Sequence, residues 1–191
     1  MKIIQVLDGE IVTEKKEGII PVENNYLQAD PQNDILKITV VNRYTENAKP
    51  AIGFVKGFGI KKGALASSVA HDSHNIVAVG SDDELLCTAV NAIIENKGGI
   101  SAVDENGQVK TLPLPIAGLM SNEDGYVLAE QYSTIDQWTK NELGCVLTAP
   151  FMTLSFLALP VIPALKMTDL GLFDVERFKF VEVESENEAD E

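Results

Sequence analysis

The alternation of apolar and polar positions divides the chain into short elements separated by turn residues. Ile3 to Leu7 reads as a strand, and Asp8-Gly9 after it is a hairpin signal that predicts a return strand through Glu10, Ile11 and Val12. Residues 14 to 32 are polar and punctuated by proline, and they read as a loop or approach segment. Ile35 to Tyr44 sets Ile35, Ile38, Val40 and Val41 against Lys37 and Thr39, a strand pattern; the adjacent Val40 and Val41 predict cover on both faces. Gly63 to Ala70 is small and apolar, as suits a tightly packed strand, and Ile76 to Val79 is a short buried strand closed by Gly80.

Two segments show the helical period instead. Ser81-Asp82-Asp83-Glu84 has the form of a capping box with Ser81 as the cap. The pairs Leu85/Leu86, Ala89/Val90 and Ile93/Ile94 then recur at four-residue spacing, and Lys97-Gly98-Gly99 predicts a left-handed stop. A second helix is predicted from Ser121-Asn122-Glu123-Asp124, with Leu128, Tyr132, Ile135, Trp138 and Leu143 as its stripe and Gly144 as its stop; the period places Trp138 in the core. Between the helices, Gly99 to Val103 and Gln108 to Leu112 read as strands joined by the turn Asp104 to Gly107. Phe151 to Leu165 reads as strand, short helix or both, and Arg177 to Val183 as a final strand. The expected class is α+β: an antiparallel or mixed β-sheet with two main amphipathic helices packed on it. A weak internal echo, with one Ser-plus-acid cap, one helix and one glycine stop in each half, hints at a duplication.

Composition narrows the function classes. At 191 residues, 45% hydrophobic and 23% charged, the chain is an ordinary globular sequence, not a disordered, collagenous or disulfide-stapled one. A net charge of −14 repels phosphate backbones and anionic bilayers, so neither nucleic acid nor membrane is an expected partner. Six acids fall within the last ten residues, and 184–191 is expected to be an acidic, disordered tail. Cys87 and Cys145 stand alone in apolar surroundings, which predicts buried packing roles and a reducing, cytoplasmic location. The first residues are too short an apolar run for a signal peptide. Phe151 to Leu165, broken by Pro160 and Pro163, falls short of the ~20 residues of a spanning helix.

The candidate chemistry is concentrated in one window. Gly53, Gly57, Gly59 and Gly63 resemble a phosphate loop in composition, but the spacing fits no phosphate-binding fingerprint, and turns or bulges are expected there. Both histidines of the chain, His71 and His74, lie with Asp72, Ser73 and Asn75 in five residues next to apolar strands. Histidine is suited to proton transfer or metal ligation near neutral pH, and Asp72 could orient either ring. A polar turn whose side chains satisfy the local backbone explains the same pattern, and both readings stand at this point. A complete metal site is not expected, because a His-x-x-His pair is not the i, i+4 pair of a helix and no third histidine exists. Ser67 and Ser68 precede the cluster and could hydrogen-bond a ligand or allow close packing.

Three long strings carry a family resemblance. Gly53-Phe54-Val55-Lys56-Gly57-Phe58-Gly59 followed by Gly63 to Asn75, then Leu112 to Ser121, then Pro150 to Pro163, resemble in order and spacing the carboxy-terminal region of microbial adenine deaminases of the amidohydrolase superfamily. The resemblance covers roughly 30–183. It implies a domain of an enzyme that hydrolyses adenine to hypoxanthine and ammonia, in which a barrel domain holds manganese or iron. This chain is too short to hold a ~250-residue barrel. No cofactor and no catalytic residue are therefore expected within it. The resemblance implies an amidohydrolase barrel as partner, on the same or a separate chain, with adenine as the substrate of the intact enzyme. Ser67, Ser68, His71, Asp72, Ser73, His74 and Asn75 become candidates for a substrate-proximal or interface role. The expected layout is an N-terminal hairpin and approach segment over 1–29, the α+β domain over 30–183, and the tail. A homo-oligomer is also expected. The competing readings are a stand-alone binding or oligomerisation module that uses the apolar stretch Phe151 to Leu165 as its interface, and a small autonomous metal hydrolase built on His71 and His74.

Overall fold

A computed structural model of the chain describes residues 1–185, so the end of the predicted acidic tail, 186–191, lies outside the described residues. The first half holds β1 (Lys2–Val6), β2 (Thr13–Glu17), β3 (Val22–Glu23), β4 (Tyr26–Leu27), β5 (Ile35–Val41), β6 (Ala51–Lys56), β7 (Ala64–Ser67) and β8 (Ile76–Gly80). There follow α1 (Asp83–Glu95), β9 (Gly99–Val103), β10 (Val109–Pro113), α2 (Gly125–Leu143), α3 (Pro150–Phe156), β11 (Leu165–Thr168), β12 (Gly171–Asp174) and β13 (Lys179–Phe180). Eight strands form one mixed sheet in the order β10-β9-β7-β8-β5-β6-β1-β2. Its one parallel pair is β1 with β6; the other neighbours run antiparallel. The expected α+β class is what the chain adopts.

Alternation assigns the two faces. Leu36, Ile38, Val40, Leu65, Val77, Val79, Ile100 and Ala102 point into the larger core, with Ile135 and Leu143 of α2, Phe151 and Leu154 of α3, and Leu165 and Met167 of β11. The opposite face is built from Ala64, Ala66, Ile76, Ala78 and Val103, and α1 packs on it through Leu86, Ala89, Val90 and Ile93. Alanines at three of those five sheet positions let the helix lie close. The middle strands are thus covered on both faces, as the pair Val40 and Val41 predicted.

Several local expectations change. The return strand after Asp8-Gly9 is Thr13–Glu17, not Glu10 to Val12, and residues 14–32, expected to be a loop, contain most of it plus the small β3–β4 hairpin. A cluster of Lys and Glu hid this strand, because β2 is an edge with most of its side chains in solvent. Asp82, not Ser81, caps α1: its carboxylate accepts from the Leu85 amide at 2.9 Å, while Ser81 Oγ accepts from the Gly63 amide at 2.9 Å. The left-handed stop of α1 is at Lys97 (φ 59°), with the Gly98 amide donating to the Ile93 carbonyl at 2.9 Å. Of the final strand only Lys179–Phe180 forms, paired with β12 of the small three-stranded sheet, and Phe178 and Phe180 meet Phe173 while staying exposed. Cys145 is buried, and burial pushes its thiol up to about 11; Cys87 is exposed on α1, contrary to the expectation of a buried role for both.

The glycine-rich stretch does bind an anion, and that anion is internal. The amides of Gly57 and Gly59 donate to the two carboxylate oxygens of Asp34 at 2.9 and 2.7 Å. Both glycines have positive φ, which lets two amides on either side of Phe58 converge on one carboxylate.

Lys166 is the outlier of the interior. It faces away from the core-directed Leu165 and Met167, yet it is fully buried, and its Nζ donates to the Ile11 carbonyl at 2.8 Å. Burial lowers its pKa to about 8 from an ordinary value of 10.5. Between those two values the unfolded chain binds the proton and the folded chain does not, so stability rises with pH across that window. Urea unfolding from pH 7 to 10.5 is expected to show this rise, and Lys166→Met to flatten it while raising stability at pH 7. A variant with the unchanged slope would remove Lys166 as its source.

Candidate functional site

The connection from β7 to β8 lies where the ends of the central strands meet. Beside it stand the two residues after β5 (Asn42 and Arg43), the first residue of β9 (Gly99) and the loop 114–120 that follows β10; the α3 end is joined through His71. Ser67 and Ser68 open this connection, and both are buried. Ser67 Oγ accepts from the Val69 amide at 3.0 Å, a local turn bond. Ser68 Oγ accepts from the Gly99 amide at 2.8 Å and donates to the Gly118 carbonyl at 2.6 Å, tying β7, β9 and the 114–120 loop together. Their place in the structure is that of packing joints.

The five polar residues form a turn, not a strand, so their side chains do not alternate between faces. The His71 amide donates to the Ser155 carbonyl of α3 at 2.8 Å, and its ring lies 4.7 Å from that of Phe156. The His74 amide returns to the Ala70 carbonyl at 2.7 Å with the residue in the left-handed region, φ 52°. The two imidazoles meet edge-on, with centroids 6.0 Å apart. Asp72 and Ser73 are exposed. Asn75 is buried, and its Oδ1 accepts from the Arg43 amide at 3.4 Å. One polar atom in the turn is left over: His74 Nδ1 is buried without a hydrogen-bond partner. A buried ring nitrogen normally has one, so the turn is built around an unused donor or acceptor.

Metal ligation finds no support in the side chains. Among the described residues, no three His, Cys, Asp or Glu side chains gather closely enough to hold a metal ion. The donor set therefore does not fit the manganese or iron centre that the resemblance attaches to the barrel. The autonomous metal hydrolase built on His71 and His74 lacks a third ligand here.

Sequence reading passed over the residues that hold the turn. Arg43 Nε donates to the His74 carbonyl at 2.6 Å, Arg43 Nη2 to the Ala117 carbonyl at 2.6 Å, and Tyr44 OH to the Ser73 carbonyl at 3.0 Å. The guanidinium also lies 4.8 Å from the Tyr44 ring. A signal was available: the chain has only two arginines, and one stands two residues after the long apolar strand Ile35–Val41. Phe156 lies within an apolar stretch of the sequence, and no local pattern there points to a histidine contact.

The comparison with known families bears on the whole chain. The sequence pattern of the adenine deaminase C-terminal domain matches residues 10–179. The chain belongs to that family. An adenine deaminase of Salinibacter ruber is 53% identical over 182 residues, which is 95% of this chain and 33% of that protein. Adenine deaminases of Sulfurovum sp. and Methanosarcina barkeri are 52% and 49% identical, with 95% and 96% of this chain covered. The chain spans about a third of the length of these relatives. Among the described residues no helix is long and apolar enough to cross a membrane.

Ser68→Ala is expected to cost about 1–3 kcal/mol in chemical denaturation, since it leaves the Gly99 amide and Gly118 carbonyl buried and unpaired. Asp72→Ala, at an exposed position, is expected to stay within about 0.5 kcal/mol. Equal losses would show that the turn itself, not the serine joint, holds this region.

Proposed function

We propose that this adenine deaminase C-terminal domain packs on a metal-bearing barrel and turns its His71–Asn75 segment toward the mouth of that barrel. There it helps to enclose the purine while adenine and water become hypoxanthine and ammonia. The observation that carries this reading is the buried, unpartnered His74 Nδ1, set in a turn whose backbone is fixed from several sides. His74 as a whole is only partly buried, so a rotation of the side chain would bring this unpaired nitrogen to a partner supplied from outside the chain.

The neighbouring surface supports a covered position. Ile116 and Met120, on the loop bound to the same arginine, are 44% and 54% exposed, and Met152 on α3 is 54% exposed. Apolar side chains beside a polar turn suit a site closed by another domain. The domain supplies packing, hydrogen bonding and exclusion of water in this reading, and it is inactive alone. The metal's contribution, activation of the attacking water, belongs to the barrel.

The test joins this chain to the remaining two thirds of the Salinibacter ruber relative. The joined protein is expected to release ammonia from adenine, and the 191-residue chain alone to release none. His74→Ala in the joined protein is expected to lower kcat/KM about tenfold or more with the melting temperature unchanged, the scale of one lost buried hydrogen bond to a ligand. Unchanged kcat/KM would overturn the role of the turn. Turnover by the chain alone would overturn the accessory reading.

A further inference from the structure

Two left-handed corners face each other across the site, and one side chain holds both. His74 has φ 52° and Ala117 has φ 58°, conformations that cost a non-glycine residue free energy and persist only where the surroundings offset it. The carbonyl of each accepts a hydrogen bond from Arg43, at 2.6 Å from Nε and 2.6 Å from Nη2. The guanidinium fork is planar and rigid, so fixing one carbonyl fixes the direction offered to the other.

The packing around the fork leaves it little freedom. A side chain at Gly118, itself at φ 78°, would meet Arg43 Nη1 at 2.5 Å, so the guanidinium lies flat against this glycine. The Gly118 carbonyl is in turn held by Ser68. Beyond it the loop closes on itself, with Ile116 and Met120 exchanging backbone hydrogen bonds at 3.0 and 3.1 Å. Arg43 makes no ion pair with a carboxylate among the described residues, although the chain carries 29 acids. Both hydrogen bonds of its guanidinium go to backbone carbonyls.

We propose that Arg43 is a positioning residue that joins the His74 corner and the Ile116–Met120 loop into one rigid face, so that the imidazole and the two exposed apolar side chains are presented together. A planar heteroaromatic ligand, bound at its edge by the imidazole and covered by apolar groups, fits such a face. This rests on the reading of the turn as substrate-proximal, but the coupling of the two corners is a property of the chain itself.

Hydrogen exchange on the 191-residue chain reads the coupling. Arg43→Ala is expected to speed amide exchange about tenfold or more in 71–75 and in 116–120 together, with α1 unchanged. Added methylguanidinium is expected to restore both segments over the same concentration range. Arg43→Lys keeps the charge without the fork and is expected to protect at most one segment, and it serves in the same assay if the alanine variant fails to fold. Loosening of one segment only, no loosening, or recovery of the two at different methylguanidinium concentrations would overturn the proposal. In the joined enzyme, Arg43→Lys is expected to raise KM for adenine several-fold with a smaller effect on kcat. If exchange behaves as expected and KM does not move, the positioning role stands and the substrate-side reading of the face fails.

Discussion

The central strands are buried on both faces, and this constraint decides where polar chemistry can exist in the molecule. Every residue of β7, β8 and β9 is buried, and β5 is buried along all but its last residue. Water cannot reach their backbones along their length, so unpaired polar groups have to be settled at the strand ends. At one end the accounts are closed internally: Lys37 pairs with Asp83 at 2.6 Å, Ser81 takes the Gly63 amide, and Asp34 takes two glycine amides. At the other end Arg43, Ser68 and Asn75 satisfy the backbone, and the His74 ring nitrogen is left over. The candidate site is at that second end for this reason.

The hydrophobic pattern made the sheet and its helices legible because burial dictates residue type there. The stripe of α1, its stop at Lys97 and the left-handed Gly144 that ends α2 follow from the four-residue spacing and the glycines. Edge elements were not legible. β2 is Thr-Glu-Lys-Lys-Glu with only Thr13 buried, so its place in the sheet is set by backbone pairing to β1 and not by its side chains. The span 177–183 misled in the other direction: it reads as one strand, but only Lys179–Phe180 pairs, on a small outer sheet where Phe178 and Phe180 meet Phe173.

The site was half legible for a related reason. His71, His74 and Asn75 stand together in sequence, and the fold keeps them together in a turn. Ser67 and Ser68, equally near in sequence, are drawn inward as joints, because a serine can settle its hydroxyl on backbone at short range. Arg43 and Ala117 are 74 positions apart and meet only through the sheet register, which places β5 beside β8 and β7 beside β9. No local pattern encodes a contact of that kind. Under the proposed function the exposed loop and the unpaired nitrogen share one explanation, a covering domain, and the chain spans only about a third of its relatives' length.

The central claim is that this end of the sheet is the covered face. Comparing amide exchange of the 191-residue chain alone with the same chain joined to the other two thirds of the Salinibacter ruber relative tests it most directly. New protection concentrated in 71–75 and 116–120 is the predicted result. Protection that appears instead along β2 or the outer side of α2, with both segments unchanged, would contradict it.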